Sequence, residues 1–397
     1  MPIWNNADSV YVGEIPADSV YVGDNLVWSA VSPLDLAPAI DQPTIVTSAV
    51  GASAASTIAG SPGWLREKRT GVAETAAGGA QSSTNALDIS GSTRFYYPGI
   101  LSASGSASNP GAYVSSDFKP GSTAALQNAR WLMAIDIVTN SPVVEYRMNA
   151  VATGGRFGLI FVNGKRISET ATLHTSPPNA GSGLAVKLTF PDSRSRRVTV
   201  YGLNHNEGRW GGVAIGAGYT ISKPAPGGRK VAIIGDSYVN GSGTVPTGAT
   251  GVETFAWPLA LLLGGDEIIQ AGIGSTGYVA TLSGEPTSNF AGRVAPILSL
   301  DPDVVIIAGG RNDVATGLQA AVTSLLTSLS TIPELYVMPT ASESTQADVR
   351  SAISAACTSA GRPYLNVAID ALPKGGDGIH PTFDGHKALA ADAFSLT

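Results

Sequence analysis

Val231-Ala232-Ile233-Ile234-Gly235-Asp236-Ser237 decides how the second half of this chain is read. Four apolar residues in succession, with no polar alternation, mark a strand covered on both faces, as in a parallel sheet flanked by helices. The run ends in a glycine, an acid and a serine, which together suit a tight turn from strand into helix.

Downstream the same grammar repeats. Apolar runs at 267–273, 304–308, 335–338 and 364–368 alternate with helical patterns at 254–263, 315–330, 346–360 and 383–394. Five strands with intervening helices predict an open α/β sheet of the doubly wound kind over residues 227–397. Ligands of such sheets bind beyond the carboxyl ends of the strands, so chemistry belongs in the strand-end loops.

Ser237 lies in the first of those loops. A serine hydroxyl needs a neighbouring base to act as a nucleophile, and this half of the chain holds two histidines, His380 and His386. His380 stands in Asp377-Gly378-Ile379-His380-Pro381, between the last strand and the last helix. Asp377, three residues earlier, can reach back to orient the imidazole and stabilise its charged form. His386 falls inside the closing helix and reads as structural. Gly309-Gly310-Arg311-Asn312-Asp313 follows another strand, and the Asn312 amide can donate to a developing oxyanion. The small-residue loop Gly272-Ile273-Gly274-Ser275-Thr276-Gly277 offers a backbone N–H for the same purpose.

With these four blocks in order, the region resembles the SGNH hydrolases, also called GDSL-like esterases. The resemblance covers about 170 residues and implies a flavodoxin-like open parallel sheet. By motif it makes Ser237 the nucleophile, with its own N–H in the oxyanion hole, and completes a triad with His380 and Asp377. Asn312 would supply its side-chain amide and either Gly274 or Ser275 a backbone N–H. Tyr238 departs from the leucine usual after that serine. Asp236 and Asp313 read as loop-bonding acids. Val239 stands where a Gly-x-Ser-x-Gly elbow would need glycine, which argues against an α/β-hydrolase lipase. No metal or organic cofactor is implied.

Ahead of the hydrolase region the composition changes. Residues 1–230 carry 18 Lys/Arg and 15 Asp/Glu, whereas residues 231–397 carry 6 and 15. The Pro/Gly stretch Lys223-Pro224-Ala225-Pro226-Gly227-Gly228 marks a boundary near 227. Between 91 and 226 short β-type runs dominate. Trp131-Leu132-Met133-Ala134-Ile135-Asp136-Ile137 presents one apolar face, and Val144, Tyr146 and Met148 alternate with Glu145 and Arg147 as in a half-buried strand. Asn163-Gly164 is a type I′ hairpin signal. These features predict a β-sandwich of jelly-roll type. Trp210 and Tyr219 are either core or sugar-stacking aromatics, and His174 and His205 have no partner at metal-ligand spacing. A jelly-roll-like domain ahead of an SGNH domain is also the layout of some carbohydrate deacetylases.

Residues 31–90, rich in Ala, Ser, Thr, Gly and Pro, read as a linker or neck. Residues 1–30 hold a repeat: Ala7-Asp8-Ser9-Val10-Tyr11-Val12-Gly13-Glu14 returns as Ala17-Asp18-Ser19-Val20-Tyr21-Val22-Gly23-Asp24. It reads as a β-hairpin or an assembly arm. It resembles the repeats that open minor tail proteins of actinobacterial phages.

Composition narrows the classes. The 397 residues suggest two or three domains. Charged residues are 14%, against about 25% in an average soluble protein, and the net charge of -6 gives no basic field for nucleic acid. The single Cys357 excludes an internal disulfide and a multi-thiolate metal site. The first residues lack a secretory signal, and no apolar run is long enough to span a membrane. The expectation is a serine esterase that removes acyl groups, O-acetyl above all, from cell-envelope polysaccharide. It would be part of a phage tail, with other tail proteins as partners and a trimer as a conceivable assembly. The rivals are a lipid or mycolyl-ester hydrolase, with a glycolipid as substrate, and a non-catalytic glycan-binding adhesin.

Overall fold

In the computed structural model the apolar run at 231–234 is the middle of a strand, β1 (Lys230–Gly235). Three more strands join it in parallel: β2 (Glu267–Gly272), β3 (Val304–Gly309) and β4 (Glu334–Pro339), in the order β2-β1-β3-β4. The structure describes residues 36–50, 55–65, 92–97, 131–150, 157–168, 183–204, 208–225, 227–241, 254–283 and 285–397, together with short strands at 10–12, 15–17, 19–22, 25–29, 76–77, 102–105 and 112–115.

Both faces of β1 are covered, which is why its residues do not alternate. Val231 and Ile233 share a core with Leu259 of α2 (Ala256–Leu262) and Leu389 of α6 (Phe383–Ser395). Ala232 and Ile234 face the other layer with Ile297 of α3 (Val294–Leu298), Leu325 of α4 (Leu318–Ser328) and Ile353 of α5 (Ala347–Ala360). Burying each isoleucine contributes roughly 1.5–3 kcal/mol. The register sets Gly235 beside Gly272 and Ala308, and Gly309 beside Pro339, so all four strands end on one rim.

One expected strand is missing from this sheet. The run at 364–368 makes a single parallel bridge, Tyr364 to Val337, and then leaves the ladder. Leu365 N still donates to Val337 O (2.8 Å), but Val367 N turns back to Leu365 O (2.8 Å). From the end of the run onward the amides meet side-chain carboxylates: Ala368 N donates to Asp392 (2.9 Å), and Ile369 N and Asp370 N, just past it, donate to Glu343 (2.7 and 2.8 Å). These acids satisfy donors that a fifth strand would have paired.

Ahead of the parallel sheet lie two antiparallel sheets with a common core. One has five strands, centred on Arg196–Asn204 and Trp131–Thr139; the other has eight, centred on Val143–Ala150 and Gly208–Ile215. Ile135, Ile137, Ile160 and Val200 of the first meet Val144, Tyr146, Val186 and Val213 of the second in one buried cluster. Asn163 (φ 51°) and Gly164 (φ 77°) take the two left-handed positions that a type I′ turn requires. Glu145 and Arg147 differ from expectation: they are buried, at 0% and 1% exposure, rather than solvated. Ser56 Oγ, Thr57 N and Thr57 Oγ1 donate to the Glu145 carboxylate (2.6–2.8 Å), and Trp64 lies over Arg147, so the segment around 56–64 covers this face.

The two copies of the N-terminal repeat each supply the first strand of a two-stranded antiparallel pair: Val10–Val12 with Ile15–Ala17, and Ser19–Val22 with Asn25–Ser29. Tyr219 is 37% exposed, whereas His174, His205 and the side chain of Trp210 lie outside the described residues. Among the described residues no helix is long and apolar enough to cross a membrane.

The antiparallel sheets are fused to the parallel one through apolar contact. Ala134, Leu159, Phe161 and Tyr201 join the β1 core, and the Tyr201 and Trp257 rings lie 4.3 Å apart edge to face. Tyr96 Oη donates to Glu267 Oε2 at 2.6 Å, a polar link at the foot of β2.

Candidate active site

Ser237 is the first residue of a one-turn helix, α1 (Ser237–Asn240), that starts directly beyond β1. Glycine is required beneath it on steric grounds. A Cβ at Gly235 would approach Ala308 O to 2.8 Å, and one at Gly272 would approach Asn240 N to 2.5 Å. The absence of both side chains lets the α1 backbone rest on the strand ends. Asp236 caps the turn, accepting from Tyr238 N at 2.9 Å and from Thr340 Oγ1 at 2.6 Å. Complete burial pushes the Asp236 carboxyl up to about 6, against those two donors.

His380 reaches the same rim from the other end of the domain. Its Nε2 lies 2.8 Å from Ser237 Oγ and its Nδ1 lies 2.6 Å from Asp377 Oδ2. The other oxygen, Asp377 Oδ1, accepts from Ile379 N (2.9 Å) and His380 N (3.0 Å), so one carboxylate grips both the ring and the backbone that carries it. Slight burial would raise the Asp377 carboxyl, but hydrogen bonds from the His380 ring and the two amides outweigh it and hold it down to about 2. With Nδ1–H donating to that anion, the Nε2 lone pair faces the serine hydroxyl. Ser237 is 7% exposed.

The remaining candidates flank this line. Asn312 Nδ2 donates to Thr276 O at 2.9 Å, joining the loop after β3 to the loop after β2. Ser275, in that second loop, is one of three non-glycine residues with positive φ among the described residues (61°), and it is exposed, whereas Gly274 beside it is half-buried. Asp313 braces the same loop by accepting from the amides of Tyr278, Val279 and Ala280 at 2.9–3.0 Å. His386 sits apart, fully buried in α6, accepting from Phe255 N at 3.2 Å.

Comparison with known proteins adds to this geometry. Residues 233–388 match the GDSL-like Lipase/Acylhydrolase family. The C-terminal domain is a GDSL-like acylhydrolase domain. Its fold, with the sheets before it, is similar to that of a salicylyl-acyltransferase from a tetracycline biosynthetic pathway. That likeness has a TM-score of 0.58 at 14% identity and covers 78% of this chain and 95% of the other. It is also similar to a carbohydrate esterase whose active site is described as having divergent catalytic and non-catalytic binding functions, with TM-score 0.51, 12% identity, and 76% and 96% of the two chains covered. A family two carbohydrate esterase from Cellvibrio japonicus aligns with TM-score 0.47 at 15% identity, over 89% and 97%. Curated protein sequences give no match.

The acylhydrolase domain holds one organising residue that the motifs do not include. Arg293 is fully buried. Its Nη1 donates to Gly235 O (2.6 Å) and Ala271 O (2.8 Å), and its Nη2 donates to Ser288 O (2.7 Å) and to Thr276 Oγ1. One guanidinium thus ties the ends of β1 and β2 to the loop between Gly272 and Gly277. Burial pulls its pKa down to about 9, with the Asp236 charge pulling the other way. A signal existed in the sequence: Arg293 is the only Lys or Arg between Lys230 and Arg311. Arg293→Met is expected to destabilise the protein by about 3–5 kcal/mol, because several buried acceptors lose their donor at once. Urea unfolding measures it, and a loss below about 1 kcal/mol would contradict this role.

Proposed function

We propose that this chain is a serine esterase that hydrolyses small acyl esters, O-acetyl groups above all, on polysaccharide. The observation that carries the reading is the unbroken hydrogen-bonded line Ser237–His380–Asp377 on the rim of the parallel sheet. Ser237 Oγ attacks the ester carbonyl as His380 Nε2 takes its proton. The oxyanion then accepts from Ser237 N–H, from the N–H of Gly274 or Ser275, and from the Asn312 amide. That NH2 group has two hydrogens, one of which is engaged by Thr276 O. His380 returns the proton to the departing alcohol, leaving an acyl-serine. Water, activated by the same imidazole, attacks that ester and frees the carboxylic acid and the serine.

The polymer part of the reading rests on the two antiparallel sheets, which have the layering of a β-sandwich and are joined to the hydrolase through the Phe161–Tyr201–Trp257 cluster. A glycan held by those sheets would be tethered to the molecule that carries the site. The tail-protein reading rests on the N-terminal repeat, and places the enzyme on a virion acting at the host envelope.

The test is turnover of p-nitrophenyl acetate, butyrate and octanoate, together with acetate release from an acetylated xylan. Acetate esters should be cleaved at least about 10-fold faster in kcat/KM than octanoate, a difference of about 1.4 kcal/mol in transition-state binding. A preference for octanoate would move the substrate to lipid or mycolyl esters. Absence of turnover on every ester would overturn the esterase reading.

A further inference from the structure

Ser237 and His380 lie 143 residues apart in sequence, and the bond between them is the one that chemistry disrupts in each cycle. Something else must keep the histidine loop at working distance. The loop is stiff within itself: Gly375 N donates to His380 O (2.8 Å), Gly378 N to Gly375 O (3.0 Å) and Thr382 N to Pro373 O (2.9 Å). Those bonds shape the loop without fixing it against the nucleophile turn.

A second bond crosses between the two. Tyr238, next to the nucleophile in α1, donates its phenolic hydrogen to Ile379 O at 2.7 Å, on the residue that precedes His380. The Tyr238 ring is 1% exposed and belongs to the β1 core, so it is itself held. Its centroid lies 5.7 Å from that of His380 and 6.4 Å from that of His386. The peptide group it grips is the one whose N–H, at His380, donates to Asp377 Oδ1 at 3.0 Å. Tyr238 therefore holds one side of the Ile379–His380 peptide and Asp377 the other. The bond involves no atom of the reacting groups, so it persists while the serine is acylated.

We propose that Tyr238 is a positioning residue for the reaction proposed above, on which this inference rests. Its hydroxyl fixes the Ile379–His380 peptide, and through it the reach of His380 Nε2 to Ser237 Oγ and to the hydrolytic water. Burial, followed by the neighbouring Asp236 charge, pushes the phenol above its ordinary range, which favours the protonated, donating hydroxyl.

Tyr238→Phe removes one oxygen and keeps the ring. With p-nitrophenyl acetate it should lower kcat by about 10–100-fold, as displacements of around 1 Å do, with KM changed less than about twofold. A fluorophosphonate titrates the competent serine, so the loss is expressed per active site. The rate of that labelling should fall by a similar factor. In a His380→Ala background, Tyr238→Phe should produce no further loss, because the group it positions is gone. Two results would overturn the inference while the esterase reading stands: kcat within twofold of wild type, or an equal loss in the presence and absence of His380. No turnover by the wild type would overturn the reading and the inference together.

Discussion

Ser237→Ala should reduce kcat for acetyl ester hydrolysis by at least about 10⁴-fold, since removal of a triad nucleophile leaves the residual rate given by binding and oxyanion contacts alone. The change deletes one oxygen at a position 7% exposed, whose hydroxyl partner is His380 Nε2 at 2.8 Å. The architecture beneath it does not depend on that atom. Asp236 still caps α1 through Tyr238 N, and Gly235 and Gly272 still admit its backbone. The unfolding midpoint should therefore move by less than about 1 kcal/mol equivalent. Steady-state turnover and urea unfolding on the same preparation check both halves. Activity that survives Ser237→Ala would remove the serine from the mechanism, whatever the fold.

The second large effect concerns acid stability and lies outside the reacting line. His386 is 0% exposed, stacks on Phe255 with rings 16° from parallel, and has a buried Nε2 without a hydrogen-bond partner among the described residues. Burial, then the nearby His380, pushes its pKa down to about 3 from an ordinary 6.5. Between those values the unfolded chain binds a proton that the folded one refuses, so this group erodes stability as pH falls from about 6.5 to about 3. The shift corresponds to about 5 kcal/mol. Asp236 acts in the opposite sense. Its folded pKa of about 6 exceeds the ordinary 3.8, so between those values the folded state holds a proton that the unfolded state has lost. That contributes about 3 kcal/mol in favour of the fold as pH falls through this window. His386→Gln keeps an acceptor for Phe255 N and cannot charge. Relative to wild type it should gain stability progressively from pH 6.5 to pH 3, whereas Asp236→Asn should lose stability relative to wild type from pH 6 to pH 4. Urea midpoints across that range test the signs, and parallel curves for wild type and His386→Gln would refute the assignment.

Much of the hydrolase fold was legible because of where its apolar residues fall. Runs such as Val231-Ala232-Ile233-Ile234 are buried on both faces, and burial on both faces leaves an unbroken apolar signature. The candidate site was legible for a related reason. Level strand ends bring short loops together, which puts Ser237 and Asn312, distant in sequence, on one rim; His380 reaches that rim from a loop that follows no strand of the sheet.

What the sequence did not reveal depends on side chains that act across the fold. The run at 364–368 reads as a strand by hydropathy, but after Leu365 it leaves the ladder, and Asp392 and Glu343 take the amides of Ala368, Ile369 and Asp370, neither acid being adjacent to them in sequence. Glu145 and Arg147 read as a solvated face because alternation cannot show that residues around 56–64 cover them. Arg293 was visible as an isolated cation in an apolar stretch, but its four acceptors belong to four separate positions, Gly235, Ala271, Thr276 and Ser288. In the sequence Tyr238 is visible only as a departure from leucine. Its role depends on a hydroxyl that meets a carbonyl 141 residues away.

The central claim is that catalysis passes through an acyl group carried on Ser237. Rapid acid quench of the enzyme during turnover of p-nitrophenyl acetate, followed by peptide mass mapping, tests it directly. The predicted result is an acetyl group, about 42 Da, on the peptide containing Gly235-Asp236-Ser237, absent from Ser237→Ala and from unreacted enzyme. Turnover with no acetylated peptide at any quench time, or an acetyl group on another side chain that forms and decays at the catalytic rate, would contradict it.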